Sequence, residues 1–180
     1  MKLHWPLAIL ASLLAVAPLT ARAASAEEID ARVREALGEL YKSSSAAKEL
    51  GAKARGTLVF PKVIKGGVGV GGGFGEGALE VGGHTAGYYD VASASVGFQL
   101  GVQEQSVVIM FMTDEALKRF QASHGWKAGV DGSVAIAKFG VGESIDTETA
   151  RKPIVGFVFS NKGLMYDLSL EGAKITRVVK

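Results

Sequence analysis

Between Gly66 and Gly101 the chain carries 13 glycines, interleaved with Val, Phe, Leu and Tyr. Glycine at that density rules out a helix, because each one costs roughly 1 kcal/mol against alanine in a helix interior. The β-branched and aromatic residues between the glycines favour extended backbone, so the stretch predicts short antiparallel strands with tight turns or bulges. Gly82-Gly83 is the strongest hairpin signal in it. Strands are expected at 84–89 and 93–100, and the six apolar residues 107–112 predict a core strand buried on both faces.

The flanks read differently. Ser25-Ala26-Glu27-Glu28 is a capping-box pattern, followed by Ile29, Val33, Ala36, Leu37, Leu40 and Tyr41 at helical spacing. Ser43 to Ser45 should break that helix and cap a second one over 46–54, weakened by Gly51 and ended by Gly56. Leu58-Val59-Phe60 reads as a strand, Pro61 limits its pairing, and Val63-Ile64 resumes the extended pattern. Thr113 is the expected N-cap of a third helix through Phe120 and Ala122, with Asp114 and Glu115 in its first turn and Gly125 past its end. Further strands are expected at 129–138, 154–159 and 164–170, with 143–152 as a surface loop. The expected class is α+β: N-terminal amphipathic helices, then a dominant antiparallel, Gly-rich β-sheet or partly closed barrel, with one further helix near 114–122.

At the N-terminus, Lys2 and His4 precede an apolar run over 7–19 and the small-residue site Ala21-Arg22-Ala23. The run is shorter than the roughly 20 residues a spanning helix needs, so 1–23 is read as a signal peptide cut after Ala23. Residues 24–180 then form one domain, large enough to bury a core without disulfides or a structural metal. The chain has no cysteine, which closes the acylated-lipoprotein route and removes any thiolate metal site. The expected location is periplasmic or secreted, with peripheral membrane association. Without Lys2 and Arg22, the 20 basic residues become 18 against 18 acidic, so the domain is neutral overall. Between Lys65 and Lys118 there is no Lys or Arg, only six acidic residues, so mildly basic segments flank an acidic centre. Nucleic acid is not an expected partner.

Motifs for chemistry are weak. Gly67, Gly69 and Gly72 satisfy GxGxxG, but β-like residues follow where a dinucleotide site needs a helix N-terminus. There is no P-loop and no GxSxG; Ser133 sits in a strand-like run. His84 and His124 lie outside any metal-ligand spacing, and nothing in the sequence pairs Asp90 with Asp131. No enzymatic activity, cofactor or metal is expected. What remains is binding: Lys53, Arg55, Lys62 and Lys65 surround the first strand, and the helix before them is amphipathic. Both could meet anionic headgroups, while the apolar stripe of the helix could equally pack on the sheet.

The block from Ala54 to Gly67, ARGTLVFPKVIKGG, resembles the opening of the SYLF domain. Three later blocks agree in order: Gly87-Tyr88-Tyr89 with 92–97 (ASASVG), 125–135 (GWKAGVDGSVA), and Gly156-Phe157-Val158-Phe159 through 162–165 (KGLM). The resemblance implies a lipid-binding module, which eukaryotic relatives join to SH3 or FYVE domains, and which binds phosphoinositides and in fungi also bundles actin. If the signal peptide is bacterial, neither ligand suits the envelope it leads to, so the expected partner is a phospholipid headgroup or membrane surface, contacted by Lys53, Arg55, Lys62 and Lys65 with an apolar face. The alternative is a structural envelope protein that docks on another protein through sheet edges or the Gly-rich segment.

Overall fold

The computed structural model describes residues 23–68, 70–96, 101–137, 145–160, 163–164 and 170–180. Residues 1–22 of the expected signal peptide, and most of the strand expected at 164–170, lie outside the described residues. Helix α1 (Ala26–Ser43) starts at a complete capping box, Ser25 and Glu28 bonding each other's backbone N–H, as the sequence predicts. Ser44 then caps α2 (Ser45–Lys53) through the N–H of Ala47.

The body is a β-sheet that curls into a half-barrel. Its long strands are β1 (Gly56–Val68), β2 (Val70–Val81), β3 (His84–Val96) and β4 (Gly101–Phe111). After α3 (Asp114–Ala122), capped by Thr113, come β5 (Trp126–Lys127), β6 (Ala135–Ile136), α4 (Thr147–Ala150), β7 (Ile154–Ser160), β8 (Gly163–Leu164) and β9 (Lys174–Val178). The order across the sheet is β5-β9-β3-β2-β1-β4-β7-β6, with β8 beside β7. Every pairing is antiparallel except the short β6–β7 pair.

Three sequence expectations are corrected. The Gly-rich stretch forms strands of 11 to 13 residues rather than short ones, because several glycines sit where neighbouring backbone leaves no space. A Cβ on Gly77 would lie 2.0 Å from the carbonyl oxygen of Val59. The strand expected at 129–138 shrinks to Ala135–Ile136, since Gly129 at φ +85° turns the chain and Asp131 caps the turn by accepting from the N–H of Lys127. Within the loop expected at 143–152, Asp146 caps one helical turn, α4. The hairpin holds: Gly82 and Gly83 have φ of +59° and +81°, as a tight two-residue β-turn of the primed type requires.

Alternation along the strands feeds two cores. Leu58, Phe60, Val107, Ile109 and Phe111 face the concave side, where α3 brings Leu117 and Phe120. Val59, Ala78, Val108, Met110 and Phe157 face the other side and meet Ile29, Val33, Ala36, Leu37 and Leu40 of α1. The apolar stripe of α1 is therefore core, not a headgroup-binding face. Residues 107–111 are buried on both faces, as expected of the core strand.

Pro61 decides which way the second half of β1 faces. It cannot donate to a ladder, and the pairing of β1 with both β2 and β4 shifts register across it. The Ser106 hydroxyl donates to the Pro61 carbonyl at 2.8 Å. One extra residue reverses the facing of every later position on the strand. Val63 and Lys65 thus turn to the concave side, and Lys62 and Ile64 to the helix side.

Candidate functional site

Beyond the N-terminal end of α1, strands β1, β2 and β4 continue as a glycine-rich arm. On its helix-side face Ile64 stands directly across from Phe74. Val102 lies opposite Gly66 on the same face, diagonal to Ile64. The three are 45 %, 54 % and 77 % exposed, so they form one apolar strip across three strands. Where the strip meets α1, Ala24, Ile29 and Arg32 close a groove with Pro61, Ile64 and Phe74.

On the concave face, where the arm joins the body, lies a small apolar recess of about 20 Å³, room for roughly one water. Phe60, Val63, Val107, Ile109 and Ile175 line it, with Lys65, Ser93, Gln105 and Glu171 as its polar groups. Gln105 is 1 % exposed, and neither its amide oxygen nor its nitrogen has a hydrogen-bond partner. Burial pushes the Lys65 ammonium below the ordinary lysine range.

The structure does not gather the four expected basic residues. Lys53 ends α2, and Arg55 follows it, 3.7 Å from Asp114, at the start of β1. Lys62 and Lys65 are seven and more residues further along, roughly 20 Å or more on an extended strand. Lys62 reaches Glu104 at 2.6 Å on the strip's face, while Lys65 enters the recess. The basic residues are thus two separate pairs, and the second pair is divided between faces.

Sequence reasoning missed Gln105 and the strip. The signal for Gln105 was a polar residue in phase with Val107, Ile109 and Phe111. The strip was hidden because its facing depends on the shift at Pro61.

A second, more polar cleft lies between α3 and the 126–136 segment, lined by Glu115, Arg119, Asp131, Ser133 and Lys152. Asp90 is on the helix-side face of β3, so the Asp90–Asp131 pairing weighed from sequence does not form. Of the GxGxxG glycines, Gly67 lies in β1 and Gly72 in β2, paired with Gly71 and Gly66, so both belong to strands and open no helix; Gly69 lies outside the described residues. His84 is exposed at the β2–β3 hairpin. Among the described residues no group of three His, Cys, Asp or Glu could hold a metal ion, and no helix is long and apolar enough to cross a membrane.

The family model of Ysc84, described as "Las17-binding protein actin regulator", matches residues 92–179. Over that stretch the chain is similar to the Ysc84 (SYLF) family, the one its sequence blocks resemble. The Ysc84 match begins within β3 and runs through β4 to β9, so Val102 and Gln105 fall inside it and Lys65, Ile64 and Phe74 precede it. The Ysc84 description names binding and regulation, not a reaction. A comparison with curated proteins finds no match.

Proposed function

We propose that this chain is a non-enzymatic phospholipid-binding protein of the bacterial cell envelope, exported and peripherally associated with membrane. The observation that carries the reading is the exposed strip of Ile64, Phe74 and Val102. Three large apolar side chains on one face of a sheet arm, left uncovered by the helix that covers the rest, are suited to the interface of a bilayer. Lys62 stands beside them, and its charge is balanced by Glu104. Apolar insertion is therefore the main contribution, and zwitterionic and anionic headgroups are both accepted. On the other face of the arm, Lys65 offers its ammonium to a headgroup phosphate.

Flotation of residues 24–180 with vesicles tests this reading. Binding to phosphatidylethanolamine and phosphatidylglycerol vesicles that persists at high salt is expected, and absence of binding to any vesicle would overturn it. The second reading, docking on an envelope protein through the same arm, is favoured by the family description, which names a protein partner for its members. Flotation failure together with salt-insensitive retention of a protein partner would select it.

A further inference from the structure

On the helix-side face of the sheet, Glu76 of β2 accepts a hydrogen bond through Oε2 from the backbone N–H of Ala24 at 3.2 Å. Its other oxygen, Oε1, accepts from the Nζ of Lys180, at the opposite end of the chain. Asp90 is the cross-strand partner of Glu76 on β3, and its Oδ1 is buried with no hydrogen-bond partner. Two neighbouring carboxylates therefore converge beneath the start of α1, served by the Lys180 ammonium, the neutral peptide N–H of Ala24 and the nearby charge of Arg32.

Ala24 is the residue that becomes the N-terminus if the chain is cut after Ala23. We propose that Glu76, with Asp90 beside it, is the receptor for the α-ammonium group that cleavage creates at Ala24. Hydrolysis of the Ala23–Ala24 peptide bond consumes one water. It leaves a carboxylate on Ala23 and, at neutral pH, an ammonium on Ala24. That nitrogen already lies at hydrogen-bond distance from Glu76. Cleavage changes it from one neutral donor to three donors and a full positive charge, without requiring the chain to move. One donor continues to serve Glu76, and the added charge offsets the second carboxylate, Asp90. The product is a charge-assisted bond that fastens the first turn of α1 to β2 and exists only in the cut chain.

The inference rests on export with cleavage after Ala23 and is independent of lipid binding. The charged groups around the new terminus are Glu76, Asp90 and Lys62 from the sheet, Glu27, Glu28 and Arg32 from α1, and Lys180 from the C-terminus. Its reach is short, because one retained residue moves the ammonium about 3.8 Å away.

Three chains test it, beginning at Ala23, Ala24 and Ser25, each with a free amine, along with the Ala24 chain acetylated at its N-terminus. The Ala24 chain is expected to melt about 2–4 °C above the other three. Its α-amine should also react more slowly with an acylating reagent at neutral pH than that of the Ala23 chain. Glu76→Gln should remove both differences. Equal melting temperatures with equal amine reactivities would overturn the proposal. So would an exported protein whose first residue, by mass spectrometry, is not Ala24. Because reactivity is read on folded protein, the result does not depend on Glu76→Gln folding well.

Discussion

Lys62 and Lys65 leave the same strand on opposite faces, Lys62 to Glu104 beside the strip and Lys65 into the recess with Gln105. Their separation follows from the register shift at Pro61. Lys65→Ala is expected to weaken binding to phosphatidylglycerol vesicles about fivefold, the equivalent of roughly 1 kcal/mol for one basic contact at an anionic surface. Lys53→Ala with Arg55→Ala, at the far end of β1, should change it less than twofold. Flotation titrations of both variants decide this, and the reverse ranking would place the lipid at the α2 end.

Gln105 holds two unpartnered buried polar atoms in a recess walled mainly by apolar side chains. Leaving a buried polar group unsatisfied costs roughly 1–3 kcal/mol. Gln105→Leu should therefore raise unfolding stability by about that amount in urea denaturation, with vesicle binding unchanged. A less stable variant would show that the amide has a structural role.

Phe120 is the hub of the concave core, with ring centroids 5.0 Å from Tyr89, 4.8 Å from Phe111 and 5.8 Å from Trp126. Phe120→Ala is expected to cost about 3–5 kcal/mol. It should also change the environment of Trp126, which urea denaturation followed by tryptophan fluorescence would report. A cost below about 1 kcal/mol would mean that the four rings do not pack as one unit.

Burial alone would raise the Glu76 carboxyl, but hydrogen bonds from Lys180 and Ala24 and the charges of Lys180 and Arg32 outweigh it and hold it below its ordinary range. Its stabilisation is present above the ordinary glutamate pKa and is lost as pH falls through the lower folded value. Asp90 acts in the opposite sense. Burial, then the Glu76 charge, raise its carboxyl, so its cost is absent at acid pH and complete above its raised folded value. Glu76→Gln should remove the Glu76 part of the acid limb in a melting-temperature series against pH. An unchanged limb would show that other carboxylates dominate it.

Much of the fold was legible because its signals are local. Ser25 and Glu28, Ser44 and Thr113 cap helices by contacts within three residues. Gly82-Gly83 needs only its own backbone to define a hairpin. The length of the strands was not legible, because Gly77 is explained by the Val59 carbonyl 18 positions earlier in the chain. The candidate site was the least legible part. Reading alternation straight through Pro61 puts Lys62 and Ile64 on the side of Phe60, and the bulge reverses that. The apolar pattern of Leu58-Val59-Phe60 and Val63-Ile64 marked the strand correctly, but it could not say that the basic residues around it diverge.

The most direct test of the central claim is the fluorescence of Phe74→Trp combined with Trp126→Phe. Added phosphatidylethanolamine/phosphatidylglycerol vesicles should shift the emission to the blue, and brominated acyl chains should quench it. Binding to vesicles with no shift and no quenching would contradict the account, because the protein would then meet the membrane without its strip.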